Sequence, residues 1–246
     1  MSAETGNSRE LWILGVKPGT GREDQLCSYL TTGGYRSRLE QVENVASGRP
    51  LGIVLDISPF SDDGWGLLLR IKNDPEIRNI PVLPVFLGAQ GKIGGVFPVA
   101  GFFTLPIDEQ YLLDRLAVYG LTDEAETWDL QGLVVSRSGE EILSRAVESV
   151  GFEVVKGYTG KEAMALVSIN PKYLCFCSMM LPDMSAFELQ EKFRLYPYSR
   201  NMPVFVLLKA DMKEGEKAAL SREIAHLVSK KQLSCEEFLA FLRRRD

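Results

Sequence analysis

The sequence predicts two doubly wound α/β domains in tandem, each on a five-stranded parallel sheet of order 2-1-3-4-5. Three observations predict it. The chain repeats itself: Leu51–Phe86 lies over Tyr173–Leu208 without a gap. Pro75, Arg78, Asn79 and Pro81 then meet Pro197, Arg200, Asn201 and Pro203, while Trp65 and Leu67 meet Phe187 and Leu189. Each half alternates short apolar runs with longer amphipathic ones, and the short runs are apolar throughout, as strands covered on both faces are.

Taken in order, Leu11–Val16 is a run short enough for a buried strand. Arg22–Gly33 reads as a helix with Leu26 and Leu30 on one face. Strands are expected at Tyr35–Val42, Leu51–Ile57, Pro81–Leu87 and Gly101–Leu105, with helices at Gly64–Asn73 and Asp108–Tyr119. The second half predicts strands at Gly132–Ser136, Glu153–Gly157, Tyr173–Cys177, Pro203–Leu208 and His226–Ser229. Its helices are placed at Glu140–Val150, Gly160–Ile169, Ala186–Leu195, Met212–Ile224 and Cys235–Arg244. The expected organisation is a disordered polar N-terminus at 1–9, a first domain at 10–120, an acidic linker at 121–131 and a second domain at 132–246.

Composition narrows the function classes. The 246 residues are 45% hydrophobic and 25% charged, the balance of a globular protein with enough apolar surface for two modest cores. A net charge of -5 argues against a general nucleic-acid binder. Arg243, Arg244 and Arg245 read as the cationic end of a helix. No apolar run reaches membrane-helix length, and Met1–Glu10 is too polar for a signal peptide, so a cytoplasmic protein without membrane partners is expected. Cys27, Cys175, Cys177 and Cys235 read as reduced core thiols. With His226 the single histidine, no zinc site is expected.

Ser178–Phe193, SMMLPDMSAFELQEKF, resembles the loop and third helix of a response-regulator receiver domain. DISPFSDDGWGLLLRIK (Asp56–Lys72) stands in the same slot of the first half. The IPV and MPV openings at Ile80 and Met202, and the segments GFFTLPID (Gly101–Asp108) and LVSKKQ (Leu227–Gln232), are also similar to that bacterial family, in order and in spacing. The resemblance implies the flavodoxin-like receiver fold and a role in two-component, phosphorelay signalling. In the family an aspartate ending strand three accepts a phosphoryl group, and two carboxylates after strand one hold Mg²⁺. A hydroxyl after strand four and a lysine after strand five take the phosphoryl oxygens.

Carried over residue by residue, the site is degenerate in both halves. In the first, Asp56 fills the acceptor slot, but Lys17 follows strand one, Phe86 replaces the hydroxyl and Leu105 the lysine. Asp56 could instead be a surface carboxylate paired with Lys17; Asp62, Asp63, Glu23 and Asp24 read as turn and helix-start residues. In the second, Ser178 replaces the aspartate with no base to activate it, Arg137 follows strand one and Leu208 replaces the hydroxyl. Lys230 alone is retained there, and it is expected close to Ser178. Glu140 and Glu141 read as the acidic first turn of a helix. No metal site and no cofactor are expected, and Mg²⁺ at Asp56 is not.

Four glycines and Pro98 between Gly88 and Gly101 make a full helix four improbable, and Ile93 excludes a P-loop. The segment reads as a surface loop or a remodelled partner-binding one. The expected function is a non-enzymatic, phosphorylation-independent interaction module that binds other signalling proteins or self-associates as a homodimer. The alternatives are a phosphorelay regulator phosphorylated on Asp56, and the regulatory part of a longer protein with an output domain.

Overall fold

The computed structural model describes residues 9–118, 130–137, 141–228 and 232–243. The chain opens with β1 (Glu10–Leu14), α1 (Asp24–Thr32), β2 (Arg36–Leu39), a 3₁₀ turn at Val42–Asn44 and the short α2 (Val45–Gly48). It continues with β3 (Gly52–Asp56), α3 (Gly64–Asn73), β4 (Val82–Leu87), β5 (Ile93–Val96), β6 (Gly101–Leu105) and α4 (Glu109–Val118). Next come β7 (Gln131–Val135), α5 (Glu141–Ser149), β8 (Glu153–Gly157), α6 (Gly160–Ile169), β9 (Leu174–Ser178), α7 (Ala186–Arg194) and β10 (Val204–Lys209). It ends with α8 (Glu214–Val228) and α9 (Cys235–Arg243).

Two compact units result, and only the second is one continuous segment. One combines Met1–Pro98 with Lys213–Asp246; the other is Val99–Met212. The division expected at the 121–131 linker is therefore not the one the packing makes, and residues 121–129 lie outside the described residues.

The first unit carries a sheet of order β2-β1-β3-β4-β5. Its first four strands are parallel, and β3 is buried along its whole length, as its GIVLD sequence demands. The fifth corrects the all-parallel expectation: β5 runs antiparallel to β4. The hairpin between them is closed by a hydrogen bond from the Gly88 amide to the Lys92 carbonyl, and so short a link cannot make the crossover that a parallel neighbour needs. The loop expected from Gly88 to Gly101 thus contains a strand.

That hairpin fills the outer edge of β4, so β6 cannot close this sheet. The strand expected at Gly101–Leu105 forms, but it pairs parallel to β10 in the second sheet, Leu105 opposite Lys209. In the second unit the order β6-β10-β9-β7-β8 reproduces the flavodoxin-like arrangement, with the last place taken by a strand earlier in the chain. Its pairs are all parallel. The core is aromatic: Phe103 of β6 packs on Phe176 and Phe205, which stack at 5.0 Å, while Tyr111, Leu112 and Leu116 of α4 are buried with Leu143 and Val147 of α5.

The helices lost from the first half are replaced from the C-terminus. Phe238, Leu239 and Leu242 of α9 lie in one core with Leu26 and Leu30 of α1 and with Ile13, Val54 and Val85 of the first sheet. Tyr29 Oη donates to the carbonyl of Leu233 at 3.3 Å. The helix α8 is tied to α3, since Trp65 Nε1 donates to Ser221 Oγ at 3.0 Å and Lys217 pairs with Asp63 at 3.2 Å. The strand expected at His226–Ser229 is not formed, because His226, Leu227 and Val228 are the last turn of α8. Leu220, Ile224 and Val228 bury one face at helical spacing, and the short apolar pair Leu227–Val228 belongs to that stripe.

Candidate functional site

In an open parallel sheet the crevice at the carboxyl ends of the strands is where ligands are held. In the first unit Asp56 ends β3 there. It is no surface carboxylate. Its exposure is 0%, and its partner is not Lys17, which is exposed, but Arg22 from the turn before α1. Arg22 Nη2 lies 2.8 Å from Asp56 Oδ2.

Both carboxylate oxygens are fully engaged. Oδ2 accepts from Arg22 and from Ser58 Oγ at 3.1 Å; Oδ1 accepts from the Ser58 amide at 3.0 Å and the Leu87 amide at 3.2 Å. A carboxylate offers about four acceptor sites, and here each is taken by a fixed donor. Burial pushes the Asp56 carboxyl above its usual range; the Ser58 amide, the Arg22 guanidinium, the Leu87 amide and the Ser58 hydroxyl pull against it.

Arg22 reaches beyond the carboxylate. Nη1 donates to the Phe60 carbonyl at 2.7 Å, Nη2 to the Leu87 carbonyl at 2.9 Å and to Ser58 Oγ at 3.0 Å, and Nε to the Gly88 carbonyl at 3.3 Å. Its guanidinium stands 5.6 Å from the Phe60 ring centroid. Sequence reading took Arg22 for the start of a helix. The signal that could have found it is chemical: an aspartate at the end of a fully apolar strand requires a fixed cation.

The other positions of this half are dispersed. Phe86 is buried within β4. Leu105 belongs to the second sheet, opposite Lys209. Asp63 caps α3, accepting from the Gly66 amide, and Asp62 and Asp24 are exposed. Among the described residues no cluster of histidine, cysteine and carboxylate side chains is disposed to hold a metal ion.

In the second unit Ser178 ends β9, as expected, and its hydroxyl donates to Ser136 Oγ at 2.9 Å. Two hydroxyls thus face each other where an acceptor and a metal ligand would stand. Arg137 is exposed and Leu208 is fully buried. Lys230 and Glu140 lie outside the described residues, and the strand expected to carry Lys230 to this crevice is helix up to Val228. The strand beside β10 is β6, which brings Leu105 to the carboxyl edge instead. Asp183, in the turn after β9, accepts from the amides of Gly160 at 2.8 Å and Lys161 at 3.0 Å, and so closes the N-terminus of α6.

Neither a family model nor a curated relative matches the chain. Solved structures similar to it include the receiver domain of HemR from Leptospira biflexa, 24% identical over 47% of this chain and 93% of that one, with a TM-score of 0.30. A signal receiver domain of a histidine kinase from Syntrophus aciditrophicus is 20% identical over 42% of this chain and 95% of its own, also at 0.30. A protein assigned as a two-component response regulator/GGDEF domain protein covers 89% of this chain and 98% of its own at 13% identity and a TM-score of 0.30. By strand order both units of this chain have the flavodoxin-like fold, the first with an antiparallel edge strand.

Proposed function

We propose that this protein is a receiver-fold signalling protein of the two-component type that acts through protein contacts and independently of phosphorylation. The observation that carries the reading is the state of Asp56: buried, paired with Arg22 and accepting on both oxygens from fixed donors. An acyl phosphate forms when a carboxylate oxygen attacks phosphorus, and that attack needs a lone pair and access to it. Here neither oxygen is presented to solvent.

The surroundings support it. A hard dication needs several oxygen ligands, whereas the Asp56 carboxylate has a guanidinium against it; the donor set does not suit Mg²⁺. In the second unit the Ser178–Ser136 hydroxyl pair supplies neither a carboxylate nor a base. The partners in this reading are other signalling proteins or a second copy, in the cytoplasm, with no cofactor and no enzymatic step. Among the described residues no helix is long and apolar enough to cross a membrane.

The test is incubation with acetyl phosphate and Mg²⁺ followed by intact-mass measurement. The expected spectrum is unmodified protein. A stoichiometric phosphate adduct on the wild type that is absent from Asp56→Asn overturns the proposal and favours a phosphorelay through Asp56.

A further inference from the structure

We infer that Arg22 is a built-in cationic latch, which holds the carboxyl edge of the first unit in one preset arrangement. The inference rests on the phosphorylation-independent reading of Asp56 and adds how that edge is controlled.

Three segments meet at this edge, and Arg22, which belongs to one, bonds to the other two. It belongs to the segment leading into α1, donates to the Phe60 carbonyl in the loop after β3, and donates to the Leu87 and Gly88 carbonyls where β4 enters its hairpin. Ser58 repeats the connection on a smaller scale, since its hydroxyl donates to Asp56 and accepts from Arg22 and from the Phe60 amide. The hairpin is also pressed onto the backbone of Arg22. Gly91 has φ +75°, and a Cβ there would stand 2.4 Å from the Arg22 carbonyl oxygen, so only glycine allows the approach.

In a switching site of this geometry, an arriving ligand must supply the charge that reorganises such loops, and it can shift them only through its differential affinity for two states. Here the positive charge is covalently part of the chain. The guanidinium fork carries directional donors to carbonyls on separate loops, which a single ammonium cannot match. The edge that would respond to a ligand is therefore held without one, and partners meet a constant surface.

The experiment uses the full chain. Hydrogen exchange, followed by mass spectrometry, is measured over residues 57–63 and 87–93 in wild type, Arg22→Ala and Arg22→Ala/Asp56→Asn. Exchange in both segments is expected to rise by about tenfold or more in Arg22→Ala, with the β7 and β9 segments unchanged. Millimolar methylguanidinium is expected to restore protection in Arg22→Ala and not in the double variant, because the restoring cation needs the carboxylate. Unchanged exchange at both loops in folded Arg22→Ala overturns the latch, as does equal restoration in the double variant. If Arg22→Ala unfolds the first unit, Arg22→Lys decides: selective loosening of the two loops supports the latch, and wild-type protection overturns it. The mass test on the wild type is separate, so an adduct there defeats the functional reading while loop protection reports on Arg22.

Discussion

Arg22 and Asp56 meet at 2.8 Å with side-chain exposures of 8% and 0%, so neither charge can turn to water if the other is removed. Breaking a pair of this kind costs about 3–5 kcal/mol, because a buried charge is left unopposed. Asp56→Ala is expected to lower the urea-unfolding free energy of the first unit by about that amount. Asp56→Asn is expected to cost less, since its remaining carbonyl oxygen can still accept from the Ser58 or the Leu87 amide. Equal losses for the two variants would show that the bonds donated by the Ser58 and Leu87 amides contribute nothing.

In the second unit a carboxylate alone is not expected to rebuild a metal site. Ser178→Asp places an acid beside the Ser136 hydroxyl, but Ser136 is followed by the exposed Arg137, and the residue opposite position 178 on β10 is the buried Leu207. Backbone NMR spectra of this variant should not change on addition of Mg²⁺. Saturable shifts centred on residues 178–183 would contradict the expectation.

Asp183 should make the second unit acid-sensitive. Partial burial pushes its pKa up, but the amides of Gly160 and Lys161, its own amide and the Lys161 ammonium outweigh that, and the net direction is down. A carboxylate lowered in the folded state contributes stability above its unfolded pKa of about 3.9 and loses it as pH falls through the folded value. Asp183→Ala is expected to cost about 1 kcal/mol at pH 7, the usual worth of a helix-end acceptor, and progressively less below pH 4. Denaturant midpoints at pH 7 and pH 3 measure both; a penalty that does not shrink in acid would remove the electrostatic account.

The exchanged segments make an unusual prediction about location. Phe238 lies late in the chain yet is buried in the core of the first unit, and Phe103 lies in the first half yet is buried in the second. A large-to-small change of either costs about 3–5 kcal/mol. In full-length protein, Phe238→Ala should accelerate hydrogen exchange in β1, β3 and β4, and Phe103→Ala in β7, β9 and β10. The reverse pattern, or losses confined to each residue's own half of the sequence, would refute the exchange.

Much of the fold is legible in local pattern. The i, i+4 pair Leu26 and Leu30 marks α1, and the apolar runs around Ile53 and Phe176 mark β3 and β9. The acceptor slots are also legible: Asp56 and Ser178 both end their strands. The cation at Asp56 is not, because Lys17 and Arg22 are close in sequence and only the course of the turn before α1 decides which one is buried.

By itself, then, the sequence determined which segments are strands and helices over most of the chain, that there are two flavodoxin-like sheets, and that position 178, at the end of β9, holds no carboxylate. These depend on side-chain periodicity and identity, which act over a few residues. Only the tertiary structure decided which sheet each late element completes. Both halves are similar enough for β6 to suit either sheet by composition; the choice turns on edge geometry. The Gly88–Lys92 hairpin lays β5 along β4, the open edge left to β6 is that of β10, and the core that remains uncovered in the first unit is closed by α8 and α9.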